Sequence, residues 1–237
     1  MCCQCGQLYC GDCNVGRVKE CPTCRAVIDV SDEVAVQRLQ KMLKERSPGR
    51  HTPFAQCNLG CMYRDGEGVA QNHKEAIKWF QLAADQGHAE AQCVLGITYE
   101  HGTGVAQSYK EAVKWYRLAA DQGLAKAQYN LGIMCKHGTG VAKSHTEAVK
   151  WYRLAADQGL AEAQHNLGCS HAIGQGVDLD LSQADHWLKL AADQGDADAK
   201  QALHHYRRPP RPPPPPTTTT TTAAAAITAT IVIRNTT

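Results

Sequence analysis

Residues 111–123, Glu-Ala-Val-Lys-Trp-Tyr-Arg-Leu-Ala-Ala-Asp-Gln-Gly, are one instance of a stretch that occurs four times in the chain, at intervals of 36 residues. A fixed interval of roughly 20 to 50 residues is typical of units that cannot bury their own apolar face and that stack on neighbours to form a continuous core. The interval therefore predicts a solenoid. Its copies are marked by Trp79, Trp115, Trp151 and Trp187 and by Gly87, Gly123, Gly159 and Gly195.

The spacing of apolar residues within one copy predicts two helices, over residues 88–101 and 110–121 in the second copy. In the first of these helices, Ala91, Leu95 and Tyr99 recur every four residues and so share one face. The Gly-Thr-Gly between the two helices permits a turn with positive φ, and the glycine after the second helix suits a C′ position. Each copy is therefore predicted to be a helical hairpin.

A glycine stands inside the first helix of every copy, as at Gly96 and Gly132. Alanine would be favoured at such a position by about 1 kcal/mol, so a cost that recurs in each copy needs a reason. We predict that the missing Cβ lets the second helix approach closely, with Ala112 and Ala148 facing the glycines.

Hydrophobic residues make up 43% of the chain but aromatic residues only 6%, and alanine is abundant. This balance suits close-packed helices better than a sheet core rich in aromatic and β-branched residues. The predicted fold class is all-α: a right-handed α-solenoid of helix-turn-helix repeats, with a small N-terminal zinc-binding module and a disordered C-terminal tail. The predicted domains are the zinc-binding module over 1–30, a linker helix and hinge over 31–51, four repeats plus a half-repeat cap over 52–206, and a Pro/Thr/Ala-rich tail over 207–237.

The formal net charge of +2 divides into +2 for residues 1–50, −4 for 51–206 and +4 for 207–237. This balance gives no nucleic-acid signature, so we expect no nucleic-acid partner. No stretch approaches the ~20 apolar residues that span a bilayer, and the N-terminus lacks the apolar core of a signal peptide. We therefore expect no membrane partner and an intracellular, cytoplasmic location.

Seven of the 12 cysteines lie within the first 24 residues, where Cys10 and Cys13 form one Cys-x-x-Cys pair and Cys21 and Cys24 form another. At this spacing a tight turn presents two thiolates to one tetrahedral Zn²⁺. Metal binding would here substitute for a hydrophobic core, so we predict a Zn²⁺ module; the alternative is a redox pair or thiols without a ligand. The cysteines of the repeats are expected to be small buried hydrophobes without disulfides, namely Cys57, Cys61, Cys93, Cys135 and Cys169.

Taken together, the N-terminal cysteines resemble the second half of a RING finger, the zinc module of ubiquitin ligases. The resemblance implies that Cys5 is the third ligand of that family and that the two pairs are the ligands that follow. The sequence departs from the family at Gln7, where the family has a histidine ligand, and the family's first cysteine pair would precede Met1. We expect a truncated or relict RING-like finger in which Cys2 or Cys3 fills the gap. An alternative is a single zinc held by Cys2, Cys5, Cys10 and Cys13.

The same resemblance leaves a second function open, a RING-type ubiquitin ligase whose repeats recruit the substrate. It implies that Pro22 helps to form the groove for a ubiquitin-conjugating enzyme and that Arg25 polarises the ubiquitin conjugate. Such a ligase holds enzyme and substrate in position and does no covalent chemistry of its own. The repeats contain no catalytic set, so we expect the chain not to be an enzyme unless the finger acts as a ligase.

The repeated pattern Ala-x-Ala-Gln-x-x-Leu-Gly, followed by a Gly-x-Gly-Val turn and by Glu-Ala-x-Lys-Trp-x-x-x-Ala-Ala-x-Gln-Gly, is similar to the Sel1-like repeat. The similarity covers four copies and the start of a fifth at residues 196–203. It implies a tetratricopeptide-like superhelix that acts as an adaptor and recruits proteins or peptides along a concave face. The main functional prediction is therefore a scaffold for protein or peptide clients.

Partner binding is predicted at positions where the copies differ. The recurring tryptophans are instead predicted to pack between copies, because a ligand seldom needs the same contact in every copy. The candidates for partner binding are Cys93, Tyr129 and His165, which are equivalent to one another, and His73, Tyr109 and His145, which are likewise equivalent.

The segments that flank the repeats carry weaker signals. Val36, Leu39 and Leu43 have helical spacing, and the Ser-Pro-Gly at 47–49 ends the predicted helix. We expect a spacer that caps the first copy, with a dimerising helix as the alternative. The proline-rich residues 207–216 predict polyproline II in a tail that cannot build a core.

Overall fold

The computed structural model describes residues 32–45 and 52–206, and within these ranges the chain forms ten α-helices. The predicted all-helical solenoid is confirmed for these residues. The predicted zinc-binding module and the tail lie outside them. The helices are α1 Asp32–Glu45, α2 Thr52–Asp65, α3 His73–Asp85, α4 Ala89–His101, α5 Tyr109–Asp121, α6 Ala125–His137, α7 His145–Asp157, α8 Ala161–Ile173, α9 Leu181–Asp193 and α10 Ala197–Tyr206.

Each copy is a hairpin that pairs a first helix (α2, α4, α6 or α8) with the second helix that follows it (α3, α5, α7 or α9). A polar N-cap begins the second helices: Oγ of Ser108 accepts a hydrogen bond from the backbone N–H of Glu111 at 3.4 Å, and Ser144 makes the equivalent bond at 3.2 Å. The first helix α6 ends at Gly138, whose φ of 75° lies in the left-handed region. The predicted hairpins and their glycine turns are thereby confirmed.

The core combines small side chains, chiefly alanine, with a fully buried leucine from each first helix and one large side chain from each second helix. Ala112 and Ala148 are at most 2% exposed. Trp151 packs against the central cluster of buried residues, and Trp115 packs against the cluster that joins the first two copies. These contacts agree with the predicted packing role of the tryptophans.

A glutamine ladder joins consecutive copies. The buried Gln92 of α4 donates a hydrogen bond from Nε2 to the carbonyl oxygen of Ala84, at the end of the preceding second helix, at 3.0 Å. Its Oε1 accepts a bond from Nε2 of Gln122, which ends the second helix of its own copy, at 2.7 Å. Because buried polar groups are nearly always paired, these bonds favour one spacing between copies. The same two bonds recur with Gln128 and Gln158 and with Gln164 and Gln194.

The glycine inside each first helix permits the predicted close approach of the second helix, but the side chain packed against the glycine is a large one and not the predicted alanine. A Cβ on Gly132 would lie 2.6 Å from Cε1 of Tyr152, whereas the nearest atom of Ala148 is its backbone oxygen at 3.3 Å. Tyr152 lies one turn after Ala148 on the same face of α7, and its ring is long enough to reach across α6. The equivalent large side chains are Phe80 at Gly60, Tyr116 at Gly96 and Leu188 at Gly168.

The helix α1 covers the start of the first copy. Its Val36 is 2% exposed and packs against Leu59 and Met62 of α2. Nε2 of Gln40 also donates a hydrogen bond to the hydroxyl of Tyr63 at 2.9 Å. This helix therefore contacts the first copy as the predicted spacer would.

The helix α10 is the predicted half-copy at the other end of the repeats. Its Ala199 is fully buried and lies in one cluster with Leu188 and Ala191 of α9. Leu203 packs against the same cluster. The half-copy thus covers apolar surface that the fourth copy would otherwise expose.

Candidate interaction surface

The first helices present a partly exposed stripe. In α6 this stripe consists of Lys126, Asn130, Ile133 and His137, which are three or four residues apart and so share one side of the helix. Each of them is half-buried or exposed. We name this surface the A face. It consists of these four residues of α6 and of the residues at the equivalent positions in the other three copies, which lie 36 and 72 residues earlier and 36 residues later.

The chemistry of the A face changes from copy to copy. The position of Lys126 is occupied in turn by an aromatic ring, a carboxylate, an ammonium group and a second carboxylate, as Phe54, Glu90, Lys126 and Glu162. The buried positions do not change in this way: Ala112 is alanine and buried in all four copies. The copies therefore share a core and differ at this surface.

In the second copy, a tyrosine of the second helix reaches past the first helix. The ring of Tyr116 lies against Gly96, where a Cβ would be only 2.5 Å from it. Its hydroxyl donates a hydrogen bond to Oε2 of Glu100 at 2.5 Å, and the side chain of Asn130 in the next copy also bonds to it. Burial, reinforced by the bond to Glu100, raises the pKa of Tyr116. The hydroxyl therefore keeps its proton and acts as a donor.

The equivalent tyrosine of the third copy has no such acceptor, because Lys136 stands where the second copy has Glu100. Nζ of Lys136 donates a hydrogen bond to Oδ1 of Asn166 at 3.4 Å, and Nδ2 of Asn166 donates to the hydroxyl of Tyr129 at 3.4 Å. The hydroxyl of Tyr152 is buried, and no described residue forms a hydrogen bond with it. We name Tyr129, Lys136, Tyr152 and Asn166 the copy-three cluster.

The first predicted series of partner-binding residues lies beside the A face but is not uniformly exposed. Tyr129 and His165 are half-buried. Cys93 is only 3% exposed, and burial raises the pKa of its thiol to about 11. The Tyr129 ring lies 6.0 Å from the ring of Tyr152, between centroids. The structure thus places Tyr129 in the copy-three cluster and Cys93 in the core.

The second predicted series begins the second helices, at the closed end of each hairpin. The turn of the following copy packs on this position: a Cβ on Gly104 would lie 2.8 Å from Cβ of His73, and one on Gly140 would meet the backbone oxygen of Tyr109. Tyr109 is 41% exposed, whereas His73 and His145 are half-buried. About eight helical residues, or ~12 Å, separate this end from the level of the first series. The two series therefore do not form one site.

A cysteine pair in α2 is a feature that the sequence analysis missed. Cys57 and Cys61 are one helical turn apart, and their side chains share a hydrogen bond. That bond and the nearby Arg64 lower the pKa of Cys61 to about 7 against the effect of its burial, while the pKa of Cys57 is raised. The spacing of four residues could have indicated the pair. All five described cysteines are free; Cys57, Cys93 and Cys135 are buried as predicted, whereas Cys61 and Cys169 are half-buried.

The second helices expose a row of leucines that was also missed. One leucine per copy is between 37% and 49% exposed, at Leu82, Leu118, Leu154 and Leu190. A leucine at the same position of every copy can be a core residue or a surface residue, so its recurrence in the sequence does not show that it is exposed. The row belongs to the second helices and not to the A face.

The predicted zinc ligands and the predicted contacts for a conjugating enzyme lie outside the described residues. Within 32–45 and 52–206, no group of three or more His, Cys, Asp or Glu side chains is placed to hold a metal ion. In the same part of the chain, no helix combines the length and the apolar character that crossing a membrane requires.

Two solved structures are similar to this chain. One is c5321, a protective antigen present in uropathogenic Escherichia coli strains and displaying an SLR fold; it is 38% identical, with a TM-score of 0.68 over 72% of this chain and 35% of that chain. The other is a Sel1 repeat protein from Oxalobacter formigenes, 37% identical, with a TM-score of 0.66 over 73% of this chain and 49% of that chain. The chain thus spans about a third and about half of their lengths. No curated protein sequence matches it significantly.

A family model described as the Sel1 repeat matches four consecutive segments, 53–88, 89–124, 125–160 and 161–196. Each segment contains one of the four hairpins. Together the segments make up more than half of the chain. The resemblance to the Sel1-like repeat is confirmed, and the chain belongs to the Sel1 repeat family.

Proposed function

We propose that this chain is a scaffold that binds protein or peptide clients along its A face. Sel1 repeat proteins are generally protein-interaction scaffolds. The observation that carries the proposal is the contrast between core and surface. Ala112 and its equivalents are identical and buried, whereas the position of Lys126 changes chemical class between adjacent copies.

The composition of the A face suits a peptide. Half-buried Ile97 and Ile133 offer apolar contact area, and the neighbouring Asn130 offers an amide that both donates and accepts hydrogen bonds. The exposed charges of Glu90 and Lys126 alternate in sign along the array. Alternating charges favour one register of a charged client over its neighbours.

The test is selection of random peptides displayed on phage against the full chain. We expect enriched peptides to lose affinity by at least about tenfold when Ile133→Arg places a charge on the A face. The matched control is Leu118→Arg, which places the same charge on the exposed row of the second helices, and it should leave affinity unchanged. Failure to enrich any peptide, or equal losses in both variants, contradicts the proposal.

We further propose that the N-terminal cysteines hold Zn²⁺ in a RING-like module that serves as a docking element. The support is the donor set, because two thiolate pairs, Cys10 with Cys13 and Cys21 with Cys24, fit tetrahedral zinc. Zinc bound per chain, measured on the full protein and on Cys21→Ser, tests this proposal. We expect bound zinc in the wild type and less in the variant, and a wild type without zinc contradicts the module.

A ubiquitin ligase is the second candidate function. The observation that favours it is that Pro22 and Arg25 fall where the RING resemblance places contacts with the conjugating enzyme. Two bound zinc ions together with ubiquitin chain formation in vitro, lost in Arg25→Ala, would replace the scaffold proposal by a ligase. One zinc ion or none, without chain formation, supports the scaffold.

We also propose a cytoplasmic place of action. The support is that the five described cysteines are free thiols, as is usual where the cell keeps thiols reduced. Fractionation of cells that produce the full chain tests this, and recovery outside the cytoplasm contradicts it.

A further inference from the structure

We propose that the copy-three cluster binds an acidic side chain, an aspartate or glutamate of a client peptide. This inference rests on the proposed scaffold function and specifies which chemical group the third copy recognises. It is carried by a comparison of two adjacent copies: Tyr116 and Tyr152 both pack against a glycine, but the hydroxyl of Tyr116 bonds to a carboxylate, whereas that of Tyr152 has no hydrogen-bond partner among the described residues.

The second copy contains an internal example of the proposed contact. There the hydroxyl of Tyr116 donates to a carboxylate oxygen of Glu100 at 2.5 Å, and the side chain of Asn130 bonds to the same hydroxyl. A carboxylate, a phenolic hydroxyl and an amide thus satisfy one another. The second copy therefore shows what kind of acceptor fits at the end of this tyrosine.

The third copy keeps the hydroxyl and the amide but replaces the carboxylate by Lys136. The Lys136 ammonium can only donate hydrogen bonds, whereas the Tyr152 hydroxyl can donate and accept, and this hydroxyl has no hydrogen-bond partner among the described residues. A buried donor without an acceptor costs free energy. An incoming carboxylate would accept from the Tyr152 hydroxyl and pair with the ammonium group, and such charge-assisted hydrogen bonds are stronger than neutral ones.

Two long hydrogen bonds close the cluster. The bond from Lys136 to Asn166 and the bond from Asn166 to Tyr129 are each 3.4 Å, beyond the usual range for N–H donors. All three of these side chains are half-buried. On this proposal, a carboxylate displaces these two weak bonds, takes the Lys136 ammonium as its partner and accepts a hydrogen bond from the Tyr152 hydroxyl.

Two anionic groups, Glu162 and Asp196, lie close enough to the cluster to raise the pKa of Tyr129, after the larger effect of burial. Glu162 has the larger effect of the two and is exposed on the A face. Its charge opposes a bound carboxylate. Glu162→Gln should therefore strengthen the binding of an acidic side chain.

The experiment titrates the full chain with two blocked alanine pentapeptides that differ only in a central glutamate or glutamine, and follows the side-chain amide of Asn166 by NMR. We expect the glutamate peptide to bind at least about tenfold more tightly. Lys136→Glu places a carboxylate of the chain itself in the cluster, so it should abolish the preference for the glutamate peptide. Tyr152→Phe should weaken the glutamate peptide several-fold, and it retains a ring that Phe80 already provides in the first copy.

The second copy provides a gain-of-function control. Glu100→Lys reproduces there the exchange found in the third copy, and it should create a second site with the same preference for glutamate. Equal affinity for the two pentapeptides, or a preference that survives Lys136→Glu in a folded variant, overturns the inference. If the glutamate preference is absent but the phage-selected peptides still lose affinity in Ile133→Arg, the scaffold function stands and only the carboxylate site is overturned. If no phage-selected peptide binds, both proposals fail.

Discussion

Gln122 donates a hydrogen bond from Nε2 to Oε1 of Gln92 at 2.7 Å, across the open end of one hairpin. Because Gln92 also donates to the carbonyl oxygen of Ala84 in the preceding copy, a single buried amide is bonded to two copies at once. Moving either copy would break one of these two hydrogen bonds, and a hydrogen bond in buried surroundings is costly to lose. Neighbouring copies are therefore coupled by polar bonds as well as by apolar contact.

Gln128→Leu tests this coupling at the centre of the array. Gln128 is 4% exposed, and the variant keeps a similar volume but leaves the carbonyl oxygen of Ala120 without its side-chain donor. We expect the free energy of unfolding, measured in urea, to fall by about 1–3 kcal/mol. The control is Gln183→Leu at an exposed position of α9. Equal losses in the two variants would show that the ladder adds nothing.

Gly132→Leu tests the close approach of the two helices. The new side chain would begin 2.6 Å from the Tyr152 ring, which is confined between helices and cannot move aside without repacking. We expect a loss of roughly 1–3 kcal/mol in thermal unfolding. Ile133→Leu, one residue further on and half-buried, should change stability little. An unchanged midpoint of thermal unfolding for Gly132→Leu would contradict the explanation that this glycine makes room for the Tyr152 ring.

Loss of the hydroxyl should change the free energy of unfolding differently at Tyr116 and at Tyr152. Tyr116→Phe removes the bond to Glu100, and we expect it to lower the free energy of unfolding by about 1–2 kcal/mol. Tyr152→Phe removes a buried donor that has no acceptor among the described residues, so it should leave stability unchanged or raise it. Denaturant titrations of both variants make the comparison, and a loss of equal size in both contradicts it.

We expect His171 to make the stability of the fold depend on pH. Its Nε2 lies 3.1 Å from Nη2 of Arg153, and burial, followed by the Arg153 charge, lowers the pKa of His171. The unfolded chain then takes up the proton more readily, so stability is complete above the ordinary histidine pKa of about 6.5 and is lost as the pH falls towards the lower folded value.

His171→Tyr, which introduces the residue found at Tyr63 and Tyr99, removes that titration. We expect the wild type to lose stability relative to the variant as the pH is lowered from neutral to mildly acidic, measured by urea unfolding at each pH. The pKa of His88 is also lowered by burial, but its contribution is common to both proteins and cancels. A constant difference between them would exclude this role for His171.

Cys61 should be the most reactive thiol among residues 52–206. Because its pKa is lowered to about 7, we expect its alkylation by iodoacetamide to rise with pH around a midpoint of about 7. Cys93, with a pKa raised to about 11, should react slowly throughout. Cys57→Ala removes the hydrogen bond to Cys61 and should move the midpoint upward, as read by mass spectrometry of the labelled peptides. An unmoved midpoint would mean that the pair does not set the reactivity of Cys61.

The hairpins could be predicted from the sequence because their signals are local. A cap such as Ser108 and a terminal glycine such as Gly138 act within a few residues, and the 36-residue interval repeats them. The contact between Gly132 and the Tyr152 ring depends on how one helix is rotated against another, which spacing along each helix leaves undetermined. The equivalence of Cys93 and Tyr129 is misleading for a related reason: a thiol fits inside the core, whereas a phenol at the same position extends to the surface.

The path of the tyrosine across the first helix has an evolutionary consequence. Glutamate and lysine codons differ by one nucleotide, so a single base change converts an arrangement like that at Glu100 into one like that at Lys136. The glycine and the tyrosine that build the path need not change. Duplication of a copy can therefore lengthen such an array, and a point mutation can separately change the charge beside the tyrosine of one copy. Neither change requires the other.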